Sequence, residues 1–169
     1  MNNIYSDEDY LNIVNNILNN DKYIEISNCL HHGTSRLIHS LKVSYYSYKI
    51  AKLFKLDYQK TAIGGLLHDF FVTNNHNGFS KVSSTFKHPV IALNNSSSEF
   101  LIGDKEKDII VSHMFPIVIN KIPKYFESWI VSMVDKIIGA FEFGTKYKKL
   151  FTLKFSNNLI LLTLIIRNL

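Results

Sequence analysis

The chain has 169 residues, of which 46% are hydrophobic and 20% are charged. This length suits one globular domain that buries roughly 70% of its unfolded surface, and this composition excludes disorder along the whole chain. The lone cysteine, Cys29, excludes an internal disulfide and a cysteine-based zinc cluster. The net charge of +5 favours anionic partners such as phosphate esters. We do not expect nucleic acid as a partner, because a basic surface is more often a solvated face.

The ends of the chain bear on its location in the cell. Residues 1–9 are polar and acidic, whereas a signal peptide would be basic and then apolar. The longest apolar run, residues 159–166, is interrupted by Thr163 and is shorter than the roughly 20 residues that span a bilayer. We therefore expect a cytoplasmic protein with no membrane partner.

Helices are favoured along the chain, since seven glycines and three prolines leave little room for the tight turns of a β-sandwich or barrel. Ser6, followed by three acidic residues, predicts a helix cap, and apolar residues at helical spacing extend that helix over 7–20. Tyr23–Ser27 alternates weakly, which predicts an extended connector. His31–Thr34 is predicted to be a loop. Thr34 or Ser35 can cap the helix that is predicted after it, over about 35–54.

A third helix is predicted between Asp57, as its cap, and the pair His68-Asp69, where the apolar pattern ends. The Gly64-Gly65 pair within it costs about 1 kcal/mol per glycine relative to alanine. Two small residues at such a cost indicate that another helix passes close by.

The second half of the chain opens with residues 72–86, which are polar and lack periodicity and so predict a long loop. Pro89 fits the first turn of the helix that follows, because that turn leaves its N–H groups unbonded in any case. Caps, prolines and apolar spacing predict helices over about 89–100, 104–114, 124–143 and 146–169, with Asp104 as one of the caps. The whole pattern predicts an all-α domain of about six or seven helices.

Six residues that can ligate a metal ion occupy otherwise core-like positions. His68 and Asp69 stand together at the end of an apolar helix, and Asp135 lies inside the most apolar helix, where a buried carboxylate needs a cation. The other three are histidines near the ends of predicted helices: His39, His88 and His113. Four imidazoles and two carboxylates suit Fe, Mn, Zn or Co better than Mg or Ca.

Taken singly, these residues have plainer interpretations. A lone buried histidine is more often hydrogen-bonded in the core than bound to a metal. Asp135 could pair with Lys136 or with Arg36. The remaining histidines fall in predicted loops, where they face solvent or substrate: His31, His32 and His76.

The order of His39, the His68-Asp69 dyad and Asp135 resembles the HD-domain superfamily of metal-dependent phosphohydrolases, which are all-α. The resemblance covers about residues 35–143. It implies that these residues bind a metal, and that Asp69 bridges two ions as in the binuclear branch of the family. The two extra histidines of that branch are matched by His88 and His113.

Arg36, three residues before His39, is similar to the Arg-x-x-His opening of the bacterial HD-type diadenosine tetraphosphate hydrolases, in which the arginine contacts phosphate. This likeness implies a catalytic role for Arg36 beside Asp69 and places its guanidinium at the rim of the site. The alternative is a structural arginine paired with an acid such as Glu99 or Asp104.

The chain also departs from known branches of the family. It lacks the Gly-Tyr-Pro motif of cyclic di-GMP phosphodiesterases and the Glu-Asp pair that follows the dyad in guanosine-tetraphosphate hydrolases. After the dyad it has Phe70-Phe71 where many HD enzymes have Gly-Lys. We therefore expect neither of those two substrates.

The resemblance implies an enzyme that hydrolyses a nucleotide or another small phosphoester through a metal-bound hydroxide, with two transition-metal ions as cofactors. Arg36 and lysines would neutralise the phosphate, with Lys42, Lys87 and Lys136 as candidates. A single-metal nucleotidase is one alternative. The other is a non-catalytic HD module that binds a nucleotide or a protein partner. In each case we expect one domain over 1–169, with the helices 7–20 and 146–169 packed on the core over 35–143.

Overall fold

The computed structural model describes residues 2–31, 34–72 and 81–145. Its helices are α1 (Asn2–Tyr5), α2 (Glu8–Leu18), α3 (Asp21–Ile24), α4 (Arg36–Leu53), α5 (Tyr58–Leu67), α6 (Lys81–Glu99), α7 (Asp104–Ser112) and α8 (126–145). A 3₁₀ helix (Glu25–Asn28) and two antiparallel two-residue strands, β1 (Leu30–His31) and β2 (Thr34–Ser35), connect α3 to α4. The predicted all-α class is confirmed, and six helices in the described ranges have nine residues or more.

Short polar side chains begin the main helices. The side chains of Ser35 and Asp57 cap α4 and α5, as predicted, by accepting the backbone N–H three residues further on. The predicted caps Ser6 and Asp104 are wrong. Asp7 caps α2 by accepting from the N–H of Tyr10, and the cap of α7 is Gly103.

Three predictions for the connecting segments are wrong. Tyr23–Ser27 is not extended but belongs to α3 and the 3₁₀ helix, because Tyr23 and Ile26, three residues apart, are both fully buried. Two residues of the predicted loop His31–Thr34 pair as strands, since His31 lies opposite Thr34. The predicted loop over 72–86 ends early: α6 begins at Lys81, so that Pro89 lies inside the helix.

The sequence did not predict that α6 begins at Lys81, because residues 81–88 are mostly polar and lack apolar residues at helical spacing. Residues 73–80 of the predicted loop lie outside the described residues, as does the predicted helix over 146–169.

Tyrosines pack the N-terminal part of the chain onto α4 and α5. The ring of Tyr10 is fully buried, and its hydroxyl donates to Oγ of Ser44 in α4 at 2.8 Å. The hydroxyl of Tyr23 donates to the carbonyl of Leu66 in α5 at 2.7 Å. These bonds satisfy polar groups that burial would otherwise leave unpaired, so α2 and α3 are held against the two central helices.

The glycine pair of α5 lies between two other helices, as its composition indicates. A Cβ atom added to Gly65 would lie 3.0 Å from Cα of Ser44 in α4, and one added to Gly64 would lie 2.8 Å from Cδ1 of Ile109 in α7. The close helix passage is thus confirmed. It also places the ends of α5 and α7 side by side, with the rings of His68 and His113 4.8 Å apart.

The outer face of α8 carries exposed apolar side chains, which are Phe126, Trp129, Met133, Ile137 and Phe141. Its inner face packs Val131, Val134 and Ile138 against Val43 of α4 and Ile109 of α7. Among the described residues, no helix combines the length and the hydropathy that crossing a bilayer requires.

Candidate metal centre

The six candidate ligands lie together in the interior, although five helices contribute them. His39 lies in α4, His88 in α6 and Asp135 in α8. His68 and Asp69 follow the end of α5, and His113 follows the end of α7. Their donor atoms form three groups within 4.8 Å: His39, His68 and Asp69; His68, His113 and Asp135; Asp69, His88 and His113. The structure therefore brings together every residue for which the sequence predicts a metal contact.

The ends of α5 and α7 orient two of the imidazoles. Nδ1 of His68 donates to the carbonyl of Gly65 at 2.8 Å, and Nδ1 of His113 donates to the carbonyl of Ile110 at 2.7 Å. Carbonyls in the last turn of a helix lack intrahelical partners, so a histidine just past that turn can satisfy one of them. With a proton held on Nδ1, Nε2 of each ring can present a lone pair to the cluster.

Nε2 of His68 is the atom that best tests whether a cation fits. It is fully buried and makes no hydrogen bond to any described residue. The nearest carboxylate oxygens are Oδ1 of Asp135 at 3.7 Å and Oδ2 of Asp69 at 3.9 Å. Three acceptors that face one another in a buried space repel unless a cation lies among them, so these residues fit a metal ion.

A second pair of imidazoles meets on the other side of Asp69. Nε2 of His88 lies 2.9 Å from Nε2 of His113, and both atoms are close to Oδ1 of Asp69, at 3.5 and 3.8 Å. Burial and the neighbouring imidazoles of His68 and His88 lower the pKa of His113 to about 3. His113 is therefore neutral near pH 7, as a metal ligand must be.

Asp69 thus separates the cluster into two halves. Its Oδ2 faces His68, whereas its Oδ1 faces His88 and His113. Two donor atoms that share an ion, each about 2.1 Å from it, lie roughly 3.0–3.4 Å apart. The separations of 2.9 Å between His88 and His113 and of 3.0 Å between His39 and Asp135 are close to that range.

His39 lies between two carboxylates. Its Nε2 is 3.0 Å from Oδ1 of Asp135, and its Nδ1 is 2.9 Å from Oε2 of Glu142. Burial acts to lower the pKa of His39, but these two hydrogen bonds outweigh it and raise the pKa to about 9. Burial likewise acts to raise the pKa of Asp135, but the hydrogen bond from His39 and the nearby charge of Lys136 hold this pKa well below its usual range.

Sequence reasoning missed Glu142. The residue lies between Phe141 and Phe143 near the described end of α8, and it is 9% exposed although both phenylalanines are exposed. A signal was present, because Glu142 lies seven residues after Asp135, which places both on one face of a helix.

Arg36 does not lie at an open rim, which corrects that expectation. It is 3% exposed, its guanidinium stacks on the ring of Phe71 at 3.7 Å, and its Nη1 donates to the carbonyl of Phe71. Its Nε lies 3.9 Å from Oδ2 of Asp69. The alternative partner Glu99 instead accepts from Lys22 at 2.6 Å. Arg36 is therefore placed against the dyad, because the chain after His68-Asp69 turns back over α4.

The candidate lysines take different positions. Nζ of Lys136 donates to the carbonyl of His113 and lies 3.1 Å from Oδ2 of Asp135. Lys42 donates to Oε1 of Glu142 at 2.7 Å, and Lys87 is exposed on α6 next to His88.

The sequence predicts loop positions for the other three histidines. His31 lies in β1, whereas His32 and His76 lie outside the described residues.

The cluster could hold a metal ion, since its donors are imidazole nitrogens and carboxylate oxygens with a second layer of hydrogen bonds behind them. Searches with the chain against protein-family models, curated proteins and solved structures found no match. The likeness to the HD-domain superfamily therefore depends on the residues themselves and their order along the chain.

Proposed function

We propose that this protein is a metal-dependent phosphohydrolase of the HD type that acts on a nucleotide or another small phosphoester. The observation that carries the proposal is the cluster of four histidines and two aspartates in the interior, in which Nε2 of His68 is buried without a hydrogen-bond partner among the described residues. Such a set costs stability unless a cation binds it, so its presence favours a role in function.

The donor groups suggest two ion positions that share one carboxylate. The first would be held by His39, His68, Asp69 and Asp135, and the second by Asp69, His88 and His113. Ions in such a pair supply Lewis acidity and an activated water at neutral pH. Asp69 offers one oxygen to each position, which supports the bridging role that the family likeness implies.

Basic groups beside the cluster support a phosphate substrate. The side chain of Lys136 is 24% exposed, and it lies next to Asp135. Lys87 is exposed one residue before His88. Ammonium groups at these places can pair with phosphate oxygens, and the net charge of +5 attracts an anion from solution.

A second candidate function is a non-catalytic module that binds a nucleotide. The burial of Arg36 favours this function. Its guanidinium already donates to the carbonyl of Phe71, so fewer of its N–H groups remain for a phosphate. A single-metal nucleotidase is the further alternative within the enzyme class. These functions differ in turnover and in the number of ions bound per chain.

The test is a nucleotide hydrolysis screen on the full chain with Mn²⁺, Fe²⁺ or Co²⁺ added. Asp69→Ala should abolish turnover, because it removes the carboxylate shared by both positions, while the circular dichroism of the helices is retained. Asp9→Ala is the matched control, since Asp9 is 74% exposed and pairs with Lys52 on the surface. Bound metal without turnover on any nucleotide would favour the binding module, and full turnover in Asp69→Ala would overturn the proposal.

A further inference from the structure

We infer that Glu142 is a positioning residue that fixes the ring of His39 for metal binding, and that Lys42 holds Glu142 in place. The inference rests on the proposed function, because His39 is one of the proposed ligands. It concerns a residue that does not itself reach the donor cluster.

The contacts of His39 define what Glu142 does. Both ring nitrogens of this fully buried imidazole face a carboxylate, with Glu142 on Nδ1 at 2.9 Å and Asp135 on Nε2 at 3.0 Å. An ionised carboxylate only accepts, so the Nδ1 proton is donated to Glu142. In the metal-free protein Nε2 donates its own proton to Asp135 at 3.0 Å. When an ion displaces that proton, Nε2 can give its lone pair to an ion that it shares with Asp135.

His39 needs a side-chain partner because of its place in a helix. His68 and His113 donate Nδ1 to a carbonyl that a helix end leaves without its usual partner. His39 lies within α4, where backbone carbonyls accept from the next turn of the helix. A carboxylate from α8 supplies the missing acceptor, and it raises the basicity of the imidazole more than a carbonyl does.

Around His39, α4 and α8 each contribute two polar side chains that contact each other. His39 and Lys42 are three residues apart on one face of α4, and Asp135 and Glu142 are two turns apart on one face of α8. Each oxygen of Glu142 has its own partner: Oε2 accepts from His39, and Oε1 accepts from Lys42 at 2.7 Å. Lys42 therefore restricts the carboxylate to the orientation in which its other oxygen faces His39.

The experiment titrates metal-free full-length protein with Zn²⁺ by calorimetry. Glu142→Gln should bind the tightest Zn²⁺ ten- to a hundredfold more weakly than the wild type, and Lys42→Met should show a smaller loss. Glu99→Gln is the matched control and should leave affinity unchanged, because it breaks a Lys–Glu pair with Lys22 that lies away from the cluster. Circular dichroism checks that each variant is folded.

A second measurement separates positioning from a merely structural role. In the nitrogen NMR spectrum of the Zn²⁺-loaded wild type, His39 should carry its proton on Nδ1, and this proton signal should shift in Glu142→Gln. A proton on Nε2 in the wild type would overturn the inference even if Glu142→Gln did not fold. So would an affinity of Glu142→Gln within twofold of the wild type. If the wild type bound no Zn²⁺, the proposed function and this inference would both fail. That result differs from the two above, in which the wild type binds Zn²⁺ and only the inference fails.

Discussion

Nε2 of His88 and Nε2 of His113 lie 2.9 Å apart in the interior, although α6 and the end of α7 carry them from different directions. At this distance the two nitrogens either share one proton in a hydrogen bond or act as two ligands of one ion. Oδ1 of Asp69, 3.5 Å from the first nitrogen and 3.8 Å from the second, completes a set of three donors.

This set predicts the number of ions per chain. The wild type should bind up to two transition-metal ions, and His88→Ala should bind one, because it removes a donor of the second position and leaves His39 and Asp135 intact. Elemental analysis of protein purified without chelator measures the number. Glu99→Gln serves as the control. One ion per chain in the wild type, unchanged in His88→Ala, would refute the binuclear arrangement.

Arg36→Lys probes the arginine in two ways. If the guanidinium also contacts phosphate, kcat/KM on multiply charged phosphates should fall roughly ten- to a hundredfold with metal content intact, because an ammonium does not reproduce a two-pronged contact. The stack on Phe71 and the bond to its carbonyl predict a loss of unfolding free energy of about 1–3 kcal/mol as well. Denaturant unfolding and steady-state kinetics on the same preparation separate the effects, and a change in stability alone would return Arg36 to a structural role.

Gly64→Ala tests the close passage of α5 and α7. The added Cβ would lie 2.8–2.9 Å from three atoms of the Ile109 side chain, so we expect destabilisation by about 1–3 kcal/mol despite the better helix propensity of alanine. Gly144→Ala is the matched control, because it lies in α8 and its added Cβ meets nothing within 4 Å. That control should gain up to about 1 kcal/mol. Equal shifts of Tm in the two variants would contradict the packing described for Gly64.

Glu127 predicts a pH dependence of stability. Oε1 of Glu127 accepts from the backbone N–H of Asp57 at 3.0 Å and from Lys105 at 2.7 Å, and so ties α8 to α5 and α7. Burial acts to raise the pKa of Glu127, but these bonds outweigh it and lower the pKa below its ordinary 4.5. A carboxyl whose pKa is lowered by folding stabilises the protein above its unfolded pKa, and this contribution is lost as the pH falls through the folded pKa.

We therefore expect the free energy of unfolding of the wild type at pH 7 to be about 1–2 kcal/mol larger than that of Glu127→Gln. This difference should hold down to about pH 5 and shrink below about pH 4.5. Urea unfolding at a series of pH values measures it. A difference that grew toward acid pH would have the wrong sign and would contradict the interpretation.

The parts of the fold that the sequence predicts correctly are those with local causes. Ser35 and Asp57 cap helices by bonding to backbone only three residues away, so their neighbours suffice to identify them. The ligand positions were detectable because a charged or imidazole group among apolar neighbours is costly without a partner. His68-Asp69 is the clearest case, since the pair ends an apolar helix.

The features that the sequence did not predict depend on contacts between distant segments. Glu142 reaches Nδ1 of His39 only because α8 passes this histidine, which lies 103 residues earlier in the chain. Arg36 turns inward because the chain after the dyad folds over it and offers the carbonyl of Phe71. Pro89 suggested a helix start, because the first turn tolerates its missing N–H, yet α6 begins eight residues earlier, at Lys81.

The ring of Phe71 has a role of its own, because it contacts two site residues. It stacks on the guanidinium of Arg36 at 3.7 Å and on the imidazole of His88, with centroids 5.1 Å apart and planes at 29°. Phe70 instead packs against Tyr23 and Phe100 in the core. A single aromatic ring thus sets the distance between a cation of α4 and an imidazole of α6. Arg36 and His88 should therefore be energetically coupled, so that the effects of mutating both fall short of additivity by about 0.5–3 kcal/mol in a double-mutant cycle.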